Sequence, residues 1–174
     1  MTNIAIIPAR MGSKRLKRKN IKLFFGKPVI YYSIEAAKKS KLFSKIIVST
    51  DSLKIAKISK SYGAEVSDLR PKNLSNSVAT TMDVINYEAN KLKEKKIKVK
   101  NICCIYPVAP LTSSTLIKKL YLLIKDNKYN FTFPVCIVKK NSNYNNYFHL
   151  SKKNLIKKIF KNKNNILSYK NTYR

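Results

Sequence analysis

The residues best suited to chemistry lie between Ile4 and Asn20, in the stretch IAIIPARMGSKRLKRKN. An apolar segment there runs into a loop with six basic side chains, one glycine and no acid. Arg10 offers a guanidinium fork that can grip two phosphate oxygens at once, and Lys19 offers a point charge. Ser13 and the backbone N–H groups around Gly12 add neutral donors, so the loop holds the parts of an anion cradle. It matches neither the G-x-x-x-x-G-K-[ST] nor the G-x-G-x-x-G pattern. A solvated basic turn and a nucleic-acid patch use the same residue types. Charge alone does not separate the three.

Position does more. NIAIIPA is an almost unbroken apolar run, the pattern of a strand covered on both faces. FFGKPVIYYSIEAAKKSKLF reads as a helix opening at Gly26, with Pro28 in its first turn and Ile30, Ile34 and Ala37 on one face. KIIVSTD gives a second buried strand. A helix follows through Ile55, Ile58 and Tyr62, stopping at Gly63. AEVSDLRP reads as a short strand and loop. A helix from about Thr80 carries Met82, Ile85, Ala89 and Leu92. NICCIYPVAP is a third long strand. A helix through Leu116, Leu120 and Leu123 has a Ser or Thr as N-cap, and Tyr129 to Val138 reads as a last strand. Strands alternating with helices predict an α/β three-layer fold with a mostly parallel sheet. Ligands of such sheets bind beyond the carboxyl ends of the strands, which is where the basic loop falls.

The chain has 174 residues, enough for one domain with a real core. A formal charge of +29 invites a nucleic-acid reading, yet 32 of the 37 cations are Lys spread along the whole chain. With Asn and Ile also frequent, A/T-rich coding bias accounts for the charge better than a selected nucleic-acid surface, and no nucleic-acid motif is present. No apolar stretch is long enough to span a bilayer, and the first ten residues lack a signal-peptide order, so the expected location is the cytoplasm. Cys103, Cys104 and Cys136 read as small buried hydrophobes, and His149 as a surface residue. The last 36 residues, 139–174, hold nine Lys and nine Asn with no Gly, Pro, Asp or Glu. NLIKKIF within them could add a strand or a helical turn; the rest reads as poorly ordered.

The ordered pieces P-A-R-x-G-S-K-R, K-N-I, G-K-P and I-V-S-T-D, then YGAEVSDLRPKNLS and CCIYPVAPL, resemble the cytidylyltransferases that activate nonulosonic acids, the sialic acid and pseudaminic acid CMP-sugar synthetases. The resemblance covers Ile4 to Val138. It implies a Rossmann-like nucleotidyltransferase fold, with residues 1–138 as the nucleotide-binding domain. It also implies a reaction in which the sugar's anomeric hydroxyl attacks the α-phosphate of CTP and pyrophosphate leaves, with Mg²⁺ assisting. Arg10, Ser13 and Lys19 would hold the phosphates, Arg10 and Lys19 acting in catalysis, and Asn20 would bond the nucleotide. Arg70 would contact it from a covering loop, or be a plain exposed arginine. Thr80 and Thr81 would lie near base or ribose, though Thr80 also suits a helix cap. Asp51 suits capping of the following helix better than a metal or ribose role. Tyr106 replaces the Gln usual in the sialic acid branch, or merely packs at a strand end. It favours pseudaminic acid as substrate, with sialic acid next.

Two departures qualify the resemblance. Asn76 and Ser77 stand where relatives carry an acid. Relatives also continue into an R-x-Q-D-L segment, a sugar-binding and dimerisation region and a late acidic pair, whereas this sequence has no acid after Asp126. The expectation is a chain truncated at its C-terminus, with residues 139–174 a remnant of the sugar-binding part. A two-carboxylate Mg²⁺ site would have to use upstream acids, and a homodimer would require the missing arm. Such a chain would be a poor catalyst or a fragment that only binds CTP. A basic nucleic-acid-binding module is the reading from another class.

Overall fold

A computed structural model describes residues 1–13, 16–125 and 129–135, and the backbone of Phe148–Leu150, Ile156–Lys161 and Leu167–Thr172. The chain packs as two units, Met1–Lys119 and Leu120–Arg174. The change in composition comes later, at Lys139.

In the first unit, β1 (Thr2–Pro8) is the middle strand of a three-stranded parallel sheet. Ile4, Ala5, Ile6 and Ile7 are all fully buried, so both faces of this strand are covered. The two-residue alternation divides them. Ala5 and Ile7 join a cluster with Ile30, Ile34, Ala37, Ile55 and Ile117, while Ile4 and Ile6 pack with Leu92. The chain then forms a small hairpin of β2 (Leu23–Phe24) and β3 (Lys27–Pro28). Phe25 and Gly26 form its tip, both at positive φ (43° and 74°). Gly26, expected to open a helix, instead belongs to the hairpin tip, and Pro28 sits at the N-cap of α1 (Val29–Ser40) rather than in its first turn.

The remaining elements follow the expected order. β4 (Lys45–Ser49) pairs with one edge of β1, and α2 (Leu53–Ser61) ends near Gly63 at φ 88°. AEVSDLRP makes only one parallel bridge, Glu65 to Ile47, with Glu65 N–H donating to the Ile46 carbonyl at 2.7 Å. α3 (Thr81–Glu94) buries Val84, Glu88 and Leu92 while Met82 is exposed, so its inner face is rotated from the expected one. β5 (Val99–Cys104) pairs with the other edge of β1. α4 (Ser114–Lys125) is capped by Ser113 Oγ, which accepts the Leu116 N–H at 3.1 Å, and Ile117 is its buried residue.

In the second unit, residues 129–135 form no strand, and the rest of the expected last strand lies outside the described residues. Phe131, Phe133 and Val135 alternate as a strand would, yet all three are exposed. The Lys/Asn-rich tail, expected to be largely unstructured, carries an antiparallel sheet of β6 (Phe148–Leu150), β7 (Ile156–Lys161) and β8 (Leu167–Thr172). β7 comprises most of NLIKKIF. Among the described residues no helix is long and apolar enough to cross a membrane.

Candidate functional site

β4 and β5 lie on opposite sides of β1, so the chain reverses its direction across the sheet beside β1. The crevice at the carboxyl end of β1 is the topological switch point where such sheets take ligands. The loop after β1 opens there. Ala9 N–H still bonds the Ser49 carbonyl at 2.8 Å, after which the chain turns away.

Asp51, just beyond β4, fastens that turn, because its Oδ1 accepts the Met11 N–H at 2.8 Å. The expected capping role passes instead to Ser52, whose Oγ accepts the Ile55 N–H at the start of α2. Asn20 closes the loop from its far end by donating Nδ2 to the Arg10 carbonyl at 2.7 Å. Asn20 is 2% exposed, and its side-chain oxygen is buried with no partner among the described residues. A buried amide oxygen left without a donor is costly, and it marks the place where a ligand N–H or O–H would complete the site.

Arg10 is half-buried and donates Nη1 to the Asn76 carbonyl, its one side-chain hydrogen bond among the described residues. Asn76 in turn accepts the Val78 and Ala79 N–H groups at 2.9 Å each, and so shapes the loop before α3. Arg70 is 5% exposed, which removes the plain surface-arginine reading. Its N–H bonds the Thr50 carbonyl at 2.7 Å and its Nε donates to Ser75 Oγ at 3.3 Å. Burial lowers its pKa, Asp51 and Glu88 counter that, and Arg10 adds to the lowering. Two guanidinium groups thus share one electrostatic environment at the carboxyl end of the sheet.

The other expected residues fall into smaller groups. Ser13 donates its N–H to the Met11 carbonyl at 3.0 Å, within the loop. Lys19 begins a 3₁₀ turn, Lys19–Ile21, and is half-buried. Thr80 caps α3 in a reciprocal capping box with Asp83. Thr81 Oγ1 and the Tyr106 hydroxyl lie 3.2 Å apart, which joins α3 to the segment after β5. The Tyr106 ring is 57% exposed, so it does not merely pack at a strand end, and its carbonyl accepts the buried Ser33 Oγ at 2.8 Å. Cys103 is free and half-buried, and burial pushes its thiol pKa up to about 11, which makes it a poor nucleophile. Asp51, Asn76 and Ser33 are supports that residue-type reasoning missed. Asp51 carried a signal as an acid at a strand end; Ser33, in mid-helix, carried none.

Residues 4–172 match the family model described as Cytidylyltransferase. The chain belongs to the cytidylyltransferase family. The match runs past Val138 through the tail. A pseudaminic acid cytidylyltransferase of Campylobacter jejuni is 39% identical over 133 residues, covering 76% of this chain and 57% of that protein. A CMP-N,N'-diacetyllegionaminic acid synthase of Legionella pneumophila is 35% identical, covering 68% of this chain and 51% of its own length. The chain thus spans just over half the length of these relatives. Among solved structures, a cytidylyltransferase from Leptospira borgpetersenii aligns with TM-score 0.56 at 25% identity, covering 74% of this chain and 50% of that one. A CMP:2-keto-3-deoxy-manno-octonic acid synthetase complexed with CTP aligns with TM-score 0.61 at 20% identity, covering 73% and 48%. The cytidylyltransferase fold is the expected α/β nucleotidyltransferase fold. Among the described residues no group of three Asp, Glu, His or Cys could hold a metal ion.

Proposed function

We propose that this chain binds CTP at the loop after β1 and serves the transfer of CMP to a nonulosonic acid, with pseudaminic acid favoured and sialic acid next. The observation that carries the reading is the buried Asn20 oxygen, without a partner among the described residues, beside Arg10 at the sheet's switch point in a chain of the cytidylyltransferase family.

The chemistry suits these residues. A triphosphate approached by an acidic sugar needs its charge offset and its α-phosphorus held in line with the attacking hydroxyl. Arg10, Lys19 and the donors around Ser13 would offset and orient the phosphates. Asn20 would accept from the nucleoside, and Arg70 would add the second guanidinium. Thr81, at the start of α3, and Tyr106, after β5, present paired hydroxyls where the base, ribose or sugar would be read. Mg²⁺ would arrive on the triphosphate; Asp51, with one oxygen engaged by Met11, is the carboxylate bonded to this loop. The match to a pseudaminic acid enzyme over three quarters of the chain supports the choice of sugar.

Titration calorimetry tests the site. The wild-type chain is expected to bind CTP, and the Arg10→Ala/Lys19→Ala variant to lose at least about tenfold in affinity, since two charge-assisted contacts are removed. Unchanged affinity in a variant that melts like the wild type would refute the assignment. Pyrophosphate release with pseudaminic and sialic acid as acceptors then ranks the sugars.

A further inference from the structure

We infer that Ser33 is a positioning residue for this site: it anchors the chain at Tyr106, so that the Tyr106 hydroxyl meets Thr81 beside the crevice. The ligand in this inference rests on the CTP reading above, but the anchoring contacts stand apart from it.

Ser33 lies in the middle of α1 and is fully buried. A helical serine ordinarily turns its hydroxyl back onto a carbonyl one turn earlier. Ser40 and Ser61, which end α1 and α2, do this, donating to the Ala37 and Ile58 carbonyls at 2.6 Å and 2.8 Å. The Ser33 hydroxyl instead leaves its helix and donates to the Tyr106 carbonyl, 73 residues along the chain, at 2.8 Å. Alanine would suit the helix better, so what serine adds at this position is that bond.

Tyr106 needs an anchor. β5 follows β1 as far as Ile105, whose N–H donates to the Ile6 carbonyl at 3.0 Å. Pro107 and Pro110 then remove two donors from the chain. Among the described residues no N–H of Tyr106, Val108 or Ala109 bonds to the protein. Ile105 joins the core cluster of Ile30 and Ile34 from α1, so the next side chain turns to the opposite face, where Leu92 of α3 packs. There the Tyr106 hydroxyl lies 3.2 Å from Thr81 Oγ1, at the start of α3. Tyr106 is thus held from both layers, by its carbonyl to α1 and by its hydroxyl to α3. Because β5 neighbours β1, this exposed tyrosine stands beside the crevice. Without Ser33 the backbone would come free of α1, and the hydroxyl pair would lose its fixed separation.

The Ser33→Ala variant tests this by calorimetry with CTP. Affinity should fall roughly five- to tenfold, comparable to one lost hydrogen bond. In a Tyr106→Phe background the same change should cost less than about twofold further, because Ser33 acts through the hydroxyl already removed. Ser40→Ala removes a buried hydroxyl of the same helix and should leave CTP affinity unchanged. In the ligand-free protein, a fluorotyrosine placed at position 106 should show its fluorine resonance moved by Thr81→Val and by Ser33→Ala, and unmoved by Ser40→Ala. Unchanged CTP affinity in Ser33→Ala, an equal loss in the Tyr106→Phe background, an unmoved resonance in Ser33→Ala, or a like effect of Ser40→Ala would each overturn the inference. If the wild type fails to bind CTP, the functional reading falls, while the fluorine resonance still decides the role of Ser33.

Discussion

Thr80 and Asp83 close the start of α3 reciprocally. Thr80 Oγ1 accepts the Asp83 N–H at 3.2 Å, and the Asp83 carboxylate accepts both the Thr80 N–H and its hydroxyl at 2.8 Å. These bonds hold the Asp83 pKa below its usual value. Thr80→Ala should therefore lower stability by about 1 kcal/mol, the usual worth of such a cap, measured as a lower urea midpoint. Because the folded Asp83 pKa is depressed, its share of that deficit is present at neutral pH and fades as pH falls through the carboxylate range. A matching drop in CTP affinity would give the hydroxyl a nucleotide role as well; unchanged affinity would leave it a cap only. Residue types made this cap legible in the sequence, because Thr followed three positions later by Asp is a local pattern. Asp51 and Ser52 were not separable in the same way. Both are good caps, and only the approach of Met11 from 40 residues away decides between them. The burial of Arg70 and Asn20 was equally hidden, since it depends on how three distant loops meet.

At the scale of elements, legibility follows how local the cause is. β1 and β4 announced themselves because an unbroken apolar run has few other uses. The FFGKP hairpin was hidden because the helical spacing of Ile30, Ile34 and Ala37 says where α1 runs but not that the chain before it pairs with itself. Two residues at positive φ are what a tight two-residue hairpin with matching twist needs, and Gly26 adopts this freely. Phe25 does so against its preference, at φ 43° with 86% of its surface exposed. Phe25→Asn should then raise stability by roughly a few tenths to 1 kcal/mol, the difference between a bulky residue and Asn in this region, read as a higher melting temperature. A lower melting temperature would show that the exposed ring contributes packing worth more than the backbone strain. Over residues 129–135 the expected strand does not form: Phe131, Phe133 and Val135 alternate, yet all three are exposed, and whether alternation has a face to bury is not a local property.

At the scale of the whole molecule, the +29 charge and the cradle make opposite demands on salt. The Debye length falls from about 10 Å at 0.1 M salt to about 3 Å at 1 M, so attraction from scattered surface Lys collapses while contacts in a partly buried site persist. Arg10 is half-buried and Arg70 buried, whereas most of the 32 Lys are spread over the surface of a chain with only eight acids. CTP held by the cradle should thus weaken by less than about tenfold between 0.1 M and 1 M salt, since only the surrounding field is screened. Adsorption of an oligonucleotide to the same protein should fall by orders of magnitude over that range, because each phosphate contact contributes to the slope. The Arg10→Ala/Lys19→Ala variant makes the comparison decisive. Its residual CTP binding should take on the steep salt dependence of the surface, since the groups that resist screening are gone. If wild-type CTP binding were already as steep as oligonucleotide binding, the loop after β1 would be one basic turn among many.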